Sequence, residues 1–246
     1  MKYLVFSDIH GNLEAFESFL KFIKRKKIDK YLFLGDIVGY GASPNETIQQ
    51  LKKLKPLYAV RGNHDKAVCG EEPLEAFNPV AANAIQWTRK KILKENLKYL
   101  SKLKKGPIVV DKNITICHGA PFDEDYYIFG DFDAAEAFYY IKTPVCFFGH
   151  THFPFVYRLK KNLIDGFLVQ GKRKIIRLEK DVRYLINPGS IGQPRDRNPF
   201  LSFAIFDSKL MKINFYRIEY DIEKAKKRIM EANLPPTLAE RLSLGI

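Results

Sequence analysis

Short apolar runs ending in polar residues alternate with stretches of helical period along the first part of the chain. Tyr3-Leu-Val-Phe6 is continuously apolar and ends in Ser7-Asp8, the pattern of a strand buried on both faces. From Leu13 to Ile28 the apolar positions fall at 13, 16, 19, 20 and 23, one stripe of a helix. A second strand, Tyr31-Leu-Phe-Leu34, ends in Gly35-Asp36. Ser43-Pro-Asn-Glu46 has the form of a capping box with proline at the first helical position, and predicts a helix to about Lys55. A third strand, Leu57-Tyr-Ala-Val60, runs into Arg61-Gly-Asn-His-Asp65. This alternation predicts parallel strands joined by right-handed crossovers.

The rhythm changes at Lys66. Up to about 106 the segments are helical, with Trp87 and a lysine-rich tail, and predict an insertion packed beside the sheet. Strands are expected again at Ile108–Val110, at Ile114–Cys117 (before His118-Gly-Ala-Pro121) and at Val145–Phe148 (before Gly149-His-Thr-His152), with a helix around Ala134–Ile141. Short strands and turns from Phe155 to Ile218 predict a second, largely antiparallel sheet, and Asp221–Glu231 a late helix. No repeat or low-complexity segment interrupts the chain. The reading is one α/β domain over 1–246 with a helical insertion at about 66–106.

Composition narrows the setting. With 46% hydrophobic residues a sizeable core is available, yet no run approaches the roughly 18 apolar residues of a membrane span. The apolar run in Met1–His10 is too short for a signal peptide. Three isolated cysteines, Cys69, Cys117 and Cys146, suit a reduced compartment better than a disulfide framework. A cytoplasmic protein without a membrane partner is expected. The net charge of +13 favours anionic partners. Its lysine runs, however, read as solvated helix faces and lack the interleaved aromatics that stack bases, so charge alone does not indicate nucleic acid. Oligomeric state stays open; Phe200, Phe203 and Phe206 could line a core or an interface.

The chemistry lies at the strand ends. All five histidines, His10, His64, His118, His150 and His152, follow an apolar strand and neighbour Gly or Asp. In open α/β sheets that edge is where ligands bind. Asp8-x-His10 and His150-x-His152 place ligand types two residues apart; in extended backbone such residues point the same way, so each pair is expected to grip one ion. Asp36 follows a glycine, and Asn63 offers an amide oxygen from a tight Gly62-Asn63 turn. Carboxylate with imidazole suits Mn, Fe, Zn or Co rather than Ca. Cys117 should face the opposite way from His118, into the core.

Taken together, Asp8-Ile-His10-Gly-Asn12, Gly35-Asp36, Gly62-Asn-His-Asp65, His118-Gly119 and Gly149-His-Thr-His152 resemble, in order, the motifs of the calcineurin-like metallophosphoesterase superfamily. Asn187-Pro-Gly-Ser-Ile-Gly-Gln-Pro194 resembles its second-sheet loop. The resemblance implies a four-layer fold, a two-sheet β-sandwich flanked by helices. It also implies two divalent transition-metal ions, Mn before Fe, Zn, Co or Ni. Asp8, His10, Asp36 and His152 would hold the first; Asp36, Asn63, His118 and His150 the second, with Asp36 bridging. A water bridging the ions would attack phosphorus, and His64, oriented by Asp65, would protonate the leaving group. Arg61 could fork onto phosphate oxygens. The Asp-Arg pair of the protein-phosphatase branch is replaced by Gly39-Tyr40, which argues against Ser/Thr phosphoprotein phosphatase activity; Arg195 either compensates or forms a salt bridge. Gly35-Asp-Ile-Val-Gly-Tyr-Gly41 resembles the prokaryotic phosphodiesterase-like subgroup. The expected function is hydrolysis of small phosphodiesters or phosphomonoesters. The alternatives are a nuclease, a nucleotide polyphosphate hydrolase, or a catalytically silent interaction module, which the filled ligand positions disfavour.

Overall fold

The computed structural model describes residues 1–246. The first sheet holds β1 (Lys2–Phe6), β2 (Lys30–Phe33) and β3 (Leu57–Ala59), then β9 (Arg173–Arg177), β11 (Leu201–Asp207) and β12 (Lys212–Ile218), in the order β3-β2-β1-β11-β12-β9. The second holds β4 (Ile108–Val110), β5 (Ile114–Ile116), β6 (Val145–Phe147), β7 (Pro154–Lys160), β8 (Leu163–Leu168) and β10 (Arg183–Pro188), in the order β4-β5-β6-β10-β7-β8. Both sheets are mixed. β1, β2 and β3 run parallel, as do β5, β6 and β10, and the remaining pairs are antiparallel.

Side-chain alternation along β1 explains the layers. Tyr3 and Val5 point to the interior between the sheets, where they meet Ile116, Phe147 and Ile186 of the second sheet. Leu4 and Phe6 point the other way, onto a helical layer. That layer comprises α1 (Leu13–Ile23), α2 (Pro44–Leu51), α3 (Asn63–Val68), α4 (Pro79–Lys91), α5 (Lys94–Leu100), α7 (Ile222–Glu231) and α8 (Pro236–Leu244). On the far face of the second sheet α6 (Asp131–Tyr140) covers Cys117, Cys146, Phe148 and Leu185. The result is four layers, helix–sheet–sheet–helix. Phe6 anchors the helical side against Phe19 and Phe33, at ring separations of 5.0 and 5.3 Å. Each such ring removed from water stabilises the fold by roughly 1.5–3 kcal/mol, the reserve against which strained loops are held. No helix is long and apolar enough to cross a membrane.

Five expectations need correction. The strands between Phe155 and Ile218 do not form a separate sheet: β7, β8 and β10 join β4–β6, while β9, β11 and β12 join β1–β3. β11 is buried on both faces, Phe203 among the helices and Phe206 between the sheets, so it takes a central place beside β1. The helix after Asn12 ends at Ile23, where the apolar stripe gives way to lysines and arginine, and that after Ser43 ends at Leu51. Pro44 does open α2, but the Ser43 side chain forms no capping bond. Asn63 is the first residue of α3 rather than a turn residue, and α8 was not anticipated.

Candidate metal centre

The loops leaving β1, β2, β5 and β6 meet at one edge of the two sheets. Asp8, His10, Asp36, His150 and His152 all adopt positive φ, between 50° and 66°. Asp, Asn and His enter this left-handed region more readily than most residues. Each such position still carries a cost, and strain of this kind collects at functional sites. Of the two pairings expected from extended backbone, Asp8 with His10 stays together and His150 with His152 does not: His152 turns toward Asp8 and His10, while His150 turns toward Asp36 and His118.

Two donor clusters result. In each, the ligand atoms lie within 4.8 Å of one another: Asp8, His10 and His152 in the first, Asp36, His118 and His150 in the second. His152 Nε2 stands 3.4 Å from Asp8 Oδ1, His118 Nε2 stands 3.4 Å from Asp36 Oδ2, and His10 Nε2 stands 3.6 Å from Asp36 Oδ2. Asn63 Oδ1 lies 3.2 Å from His118 Nε2, bringing it into the second cluster. Ligand atoms bonded at about 2.1 Å to one ion lie roughly 3–3.4 Å apart, so these spacings suit a cation. Asp36 reaches both clusters. A further group, His10, Asp36 and His64, overlaps the two.

Backbone carbonyls fix the ring orientations. Val38 O meets His10 Nδ1 at 3.1 Å, Leu34 O meets His118 Nδ1 at 2.7 Å, and Gln193 O meets His152 Nδ1. Each directs Nε2 into the cluster, whereas His150 spends Nε2 on Asp125 O at 3.0 Å and leaves Nδ1. Such outer partners set the tautomer of metal-binding histidines. The donors fit a cation on a further ground. Both carboxylate oxygens of Asp8 are buried without a hydrogen-bond partner, a costly state for an anion unless a positive charge completes the site. Burial pushes the Asp8 carboxyl up to about 7. Burial also opposes ionisation of Asp36, yet His118, His64 and His10 hold it far below the ordinary carboxylate range. The Asp36 charge in turn lifts His118 to about 10 despite its burial. A proton on His118 thus stands where the site calls for a cation.

Two assignments are corrected. Asp65 does not orient His64. Its carboxylate accepts backbone N–H bonds from Asp36 (2.9 Å), Ile37 (3.0 Å), Val38 (3.2 Å) and Gly62 (3.1 Å), so it clamps the loop that carries Asp36. Burial pushes this carboxyl up to about 7, with Asp36 adding to the shift and the N–H groups of Gly62 and Val38 opposing it. Arg61 is committed elsewhere: Nε and Nη2 fork onto Glu124 at 3.0 and 2.9 Å, and Nη1 meets Glu71 at 2.5 Å. Its fork is filled by carboxylates rather than open to phosphate.

His64 stays beside the clusters with Nδ1 unpartnered, and burial pushes it down to about 4. Gly39 makes room for it. A Cβ there would stand 2.7 Å from His64 Nδ1 and 3.0 Å from His10 Nδ1, and the residue's φ is +122°. Gly62 likewise permits close approach, since a Cβ would lie 2.1 Å from Asp36 Oδ1. Arg195 makes no salt bridge; its Nη2 bonds Gln193 Oε1 at 2.9 Å and its guanidinium lies 5.7 Å from the centre of the Tyr40 ring. Its charge helps to push down His10, His64, His150 and His152. It is therefore a cation beside the centre with no carboxylate partner, held by Gln193 and Tyr40.

Sequence reasoning missed the braces. Ser190 Oγ and Gly192 N–H both bond Asp8 O, at 2.9 Å each. Asn187 Nδ2 holds Gly149 O at 2.7 Å and Thr151 Oγ1 at 3.0 Å. The signal was available, because the Asn187–Pro194 stretch was already singled out.

The calcineurin-like phosphoesterase superfamily domain model matches residues 1–210. The chain belongs to that superfamily. It is 45% identical over 248 residues to an uncharacterized protein of Methanocaldococcus jannaschii, covering 98% of this chain and 97% of the relative. Among solved structures, a metallophosphoesterase from Sphaerobacter thermophilus is 36% identical, with a TM-score of 0.86 and coverage of 100% of this chain and 99% of its own. A hypothetical protein from Pyrococcus horikoshii, 22% identical, shares the fold at a TM-score of 0.81, with coverage of 100% and 98%.

Proposed function

We propose that this phosphoesterase-family chain hydrolyses small phosphodiesters or phosphomonoesters with two divalent transition-metal ions, Mn foremost, at the edge of its two sheets. One observation carries the reading: Asp8, with two unpartnered buried carboxylate oxygens, stands among imidazoles whose nitrogens converge on it and on Asp36. When bound, such ions supply charge stabilisation at phosphate oxygens and make water acidic enough to act as a nucleophile near neutral pH.

The chain's own groups do the rest. Asp8, His10, Asp36 and His152 would hold one ion, and Asp36, Asn63, His118 and His150 the other. Arg195, a cation beside the centre with no carboxylate partner, takes a non-bridging phosphate oxygen by charge-assisted hydrogen bonds. His64 is neutral near pH 7 in the substrate-free protein. The negative charge of an incoming ester favours its protonated form, and its proton then goes to the leaving oxygen. General acid catalysis of this kind contributes about 10²–10⁴-fold.

Purified protein supplied with Mn²⁺ should cleave a chromogenic phosphodiester or monoester, and EDTA should abolish the activity. Far less than one ion per chain in metal analysis, with no ester cleaved, defeats the proposal. His64→Ala should retain metal and lose turnover. Since His64 lies within 4.8 Å of donor atoms of His10 and Asp36, loss of metal in that variant would make it a ligand instead.

A further inference from the structure

A cleft of about 190 Å³ opens beside the metal centre, bordered by Asn63, His64 and His150. Three aromatic rings, Tyr40, Phe77 and Tyr127, line it together with the polar residues Glu72, Asn78 and Asp125. We propose that this cleft seats a nucleobase, so that the ester cleaved at the centre is a nucleotidyl phosphodiester. The inference rests on the phosphoesterase reading above and specifies its substrate class.

Size, walls and edge each point to a base. A cavity of roughly 150 Å³ holds benzene, so this one admits a ring system somewhat larger. The walls are aromatic. Tyr127 stacks on the ligand His150, with ring centres 3.7 Å apart and planes 28° apart. Phe129 extends the stack outward at 5.4 Å and 4°, and is 61% exposed. Phe77 packs edge-on to His64 at 5.3 Å. Tyr127 is thus already stacked on its neighbours, and Phe77, packed edge-on, is the wall ring for a base to stack on, an interaction that needs no particular sequence.

The polar edge separates a base from a plain aryl group. The Glu72 and Asp125 carboxylates line the cleft, each tied to Lys66 through one oxygen. Carboxylate acceptors on an aromatic-walled cleft match the amino and ring N–H donors of a base, and a phenyl ring offers them none. Because His64 borders the same cleft, the base belongs to the leaving-group side of the phosphorus.

The test uses the Mn²⁺-loaded protein and equilibrium dialysis of a dinucleoside phosphorothioate. A glycerol phosphorothioate diester without rings and a phenyl phosphorothioate diester serve as comparisons. The dinucleotide should be retained best. Phe77→Ala should weaken its binding about 5- to 100-fold relative to the ring-less diester, the loss expected for one stacked base. Phe77→Leu, which keeps apolar bulk without a π face, should move the same way, and Phe77→Trp should restore binding. Equal retention of dinucleotide and ring-less diester, or a dinucleotide preference unchanged in folded Phe77→Leu, overturns the proposal. Equal retention of the phenyl diester overturns the base in favour of an aryl group. Tighter retention of a single-stranded oligonucleotide assigns the cleft to a strand and equal retention to a dinucleotide; both support base recognition. Because retention is read without turnover, failure to cleave any ester defeats the phosphoesterase reading and leaves this result to stand on its own.

Discussion

Asp65→Asn discriminates between two roles for the residue that follows His64. A carboxylate that oriented the His64 ring could become an amide with a loss of turnover and little change in stability. The structure instead gives each Asp65 oxygen two backbone N–H donors: Ile37 and Val38 on Oδ1, Asp36 and Gly62 on Oδ2. Asparagine keeps one oxygen and turns an NH₂ group toward the other two donors. Two charge-assisted bonds are then lost in a buried setting, at about 1.5–3 kcal/mol each, for a total near 3–6 kcal/mol. For a domain of this size 1 kcal/mol moves the midpoint by roughly 2–4 °C, so melting should fall by roughly 6–24 °C. The loop released carries Asp36, the ligand shared by both clusters, so metal affinity should fall as well. Circular-dichroism melts with and without Mn²⁺, together with metal analysis of dialysed protein, read both effects. An Asp65→Asn variant that melts within about 3 °C of the parent and keeps its metal, while losing turnover, refutes the clamp and restores the orienting role.

Three other substitutions probe the centre. Gly39→Ala places a Cβ 2.7 Å from His64 Nδ1 at a φ of +122°; strain and crowding of about 2–5 kcal/mol should displace His64 and cut kcat, and a fully active variant in steady-state assays would show that the loop yields. Asp8→Asn removes a buried charge with no partner, so after EDTA treatment it should melt higher than the parent, whereas with Mn²⁺ the order should reverse; parallel melts that never cross would deny Asp8 its ligand role. Arg195→Ala should lower kcat/KM about 10- to 100-fold with metal content unchanged, the loss of a hydrogen bond to a charged group, and unaltered kinetics would remove Arg195 from substrate binding.

Residue types made the ligands legible, because Asp, Asn and His placed after apolar strands have few other reasons to recur there. Their partnership was only half legible from spacing: Asp8 and His10 do share a cluster, but the turns at His150 and His152 send those two side chains to different ones. The layers could be read from alternation along each strand, but alternation is the same in either sheet, so the membership of β9, β11 and β12 was not. Asp65 misled because its donors come from the loop after β2, distant in sequence and adjacent only in the fold. Gly39-Tyr40 shows how the local and the distant join. The space at position 39 is filled by His64 and His10, so the side chain that the protein-phosphatase pattern places there has no room. Crowding at position 39 thus bars the aspartate of that pattern, while Tyr40, in place of its arginine, gives the guanidinium of Arg195 from beyond β10 a ring face to pack on.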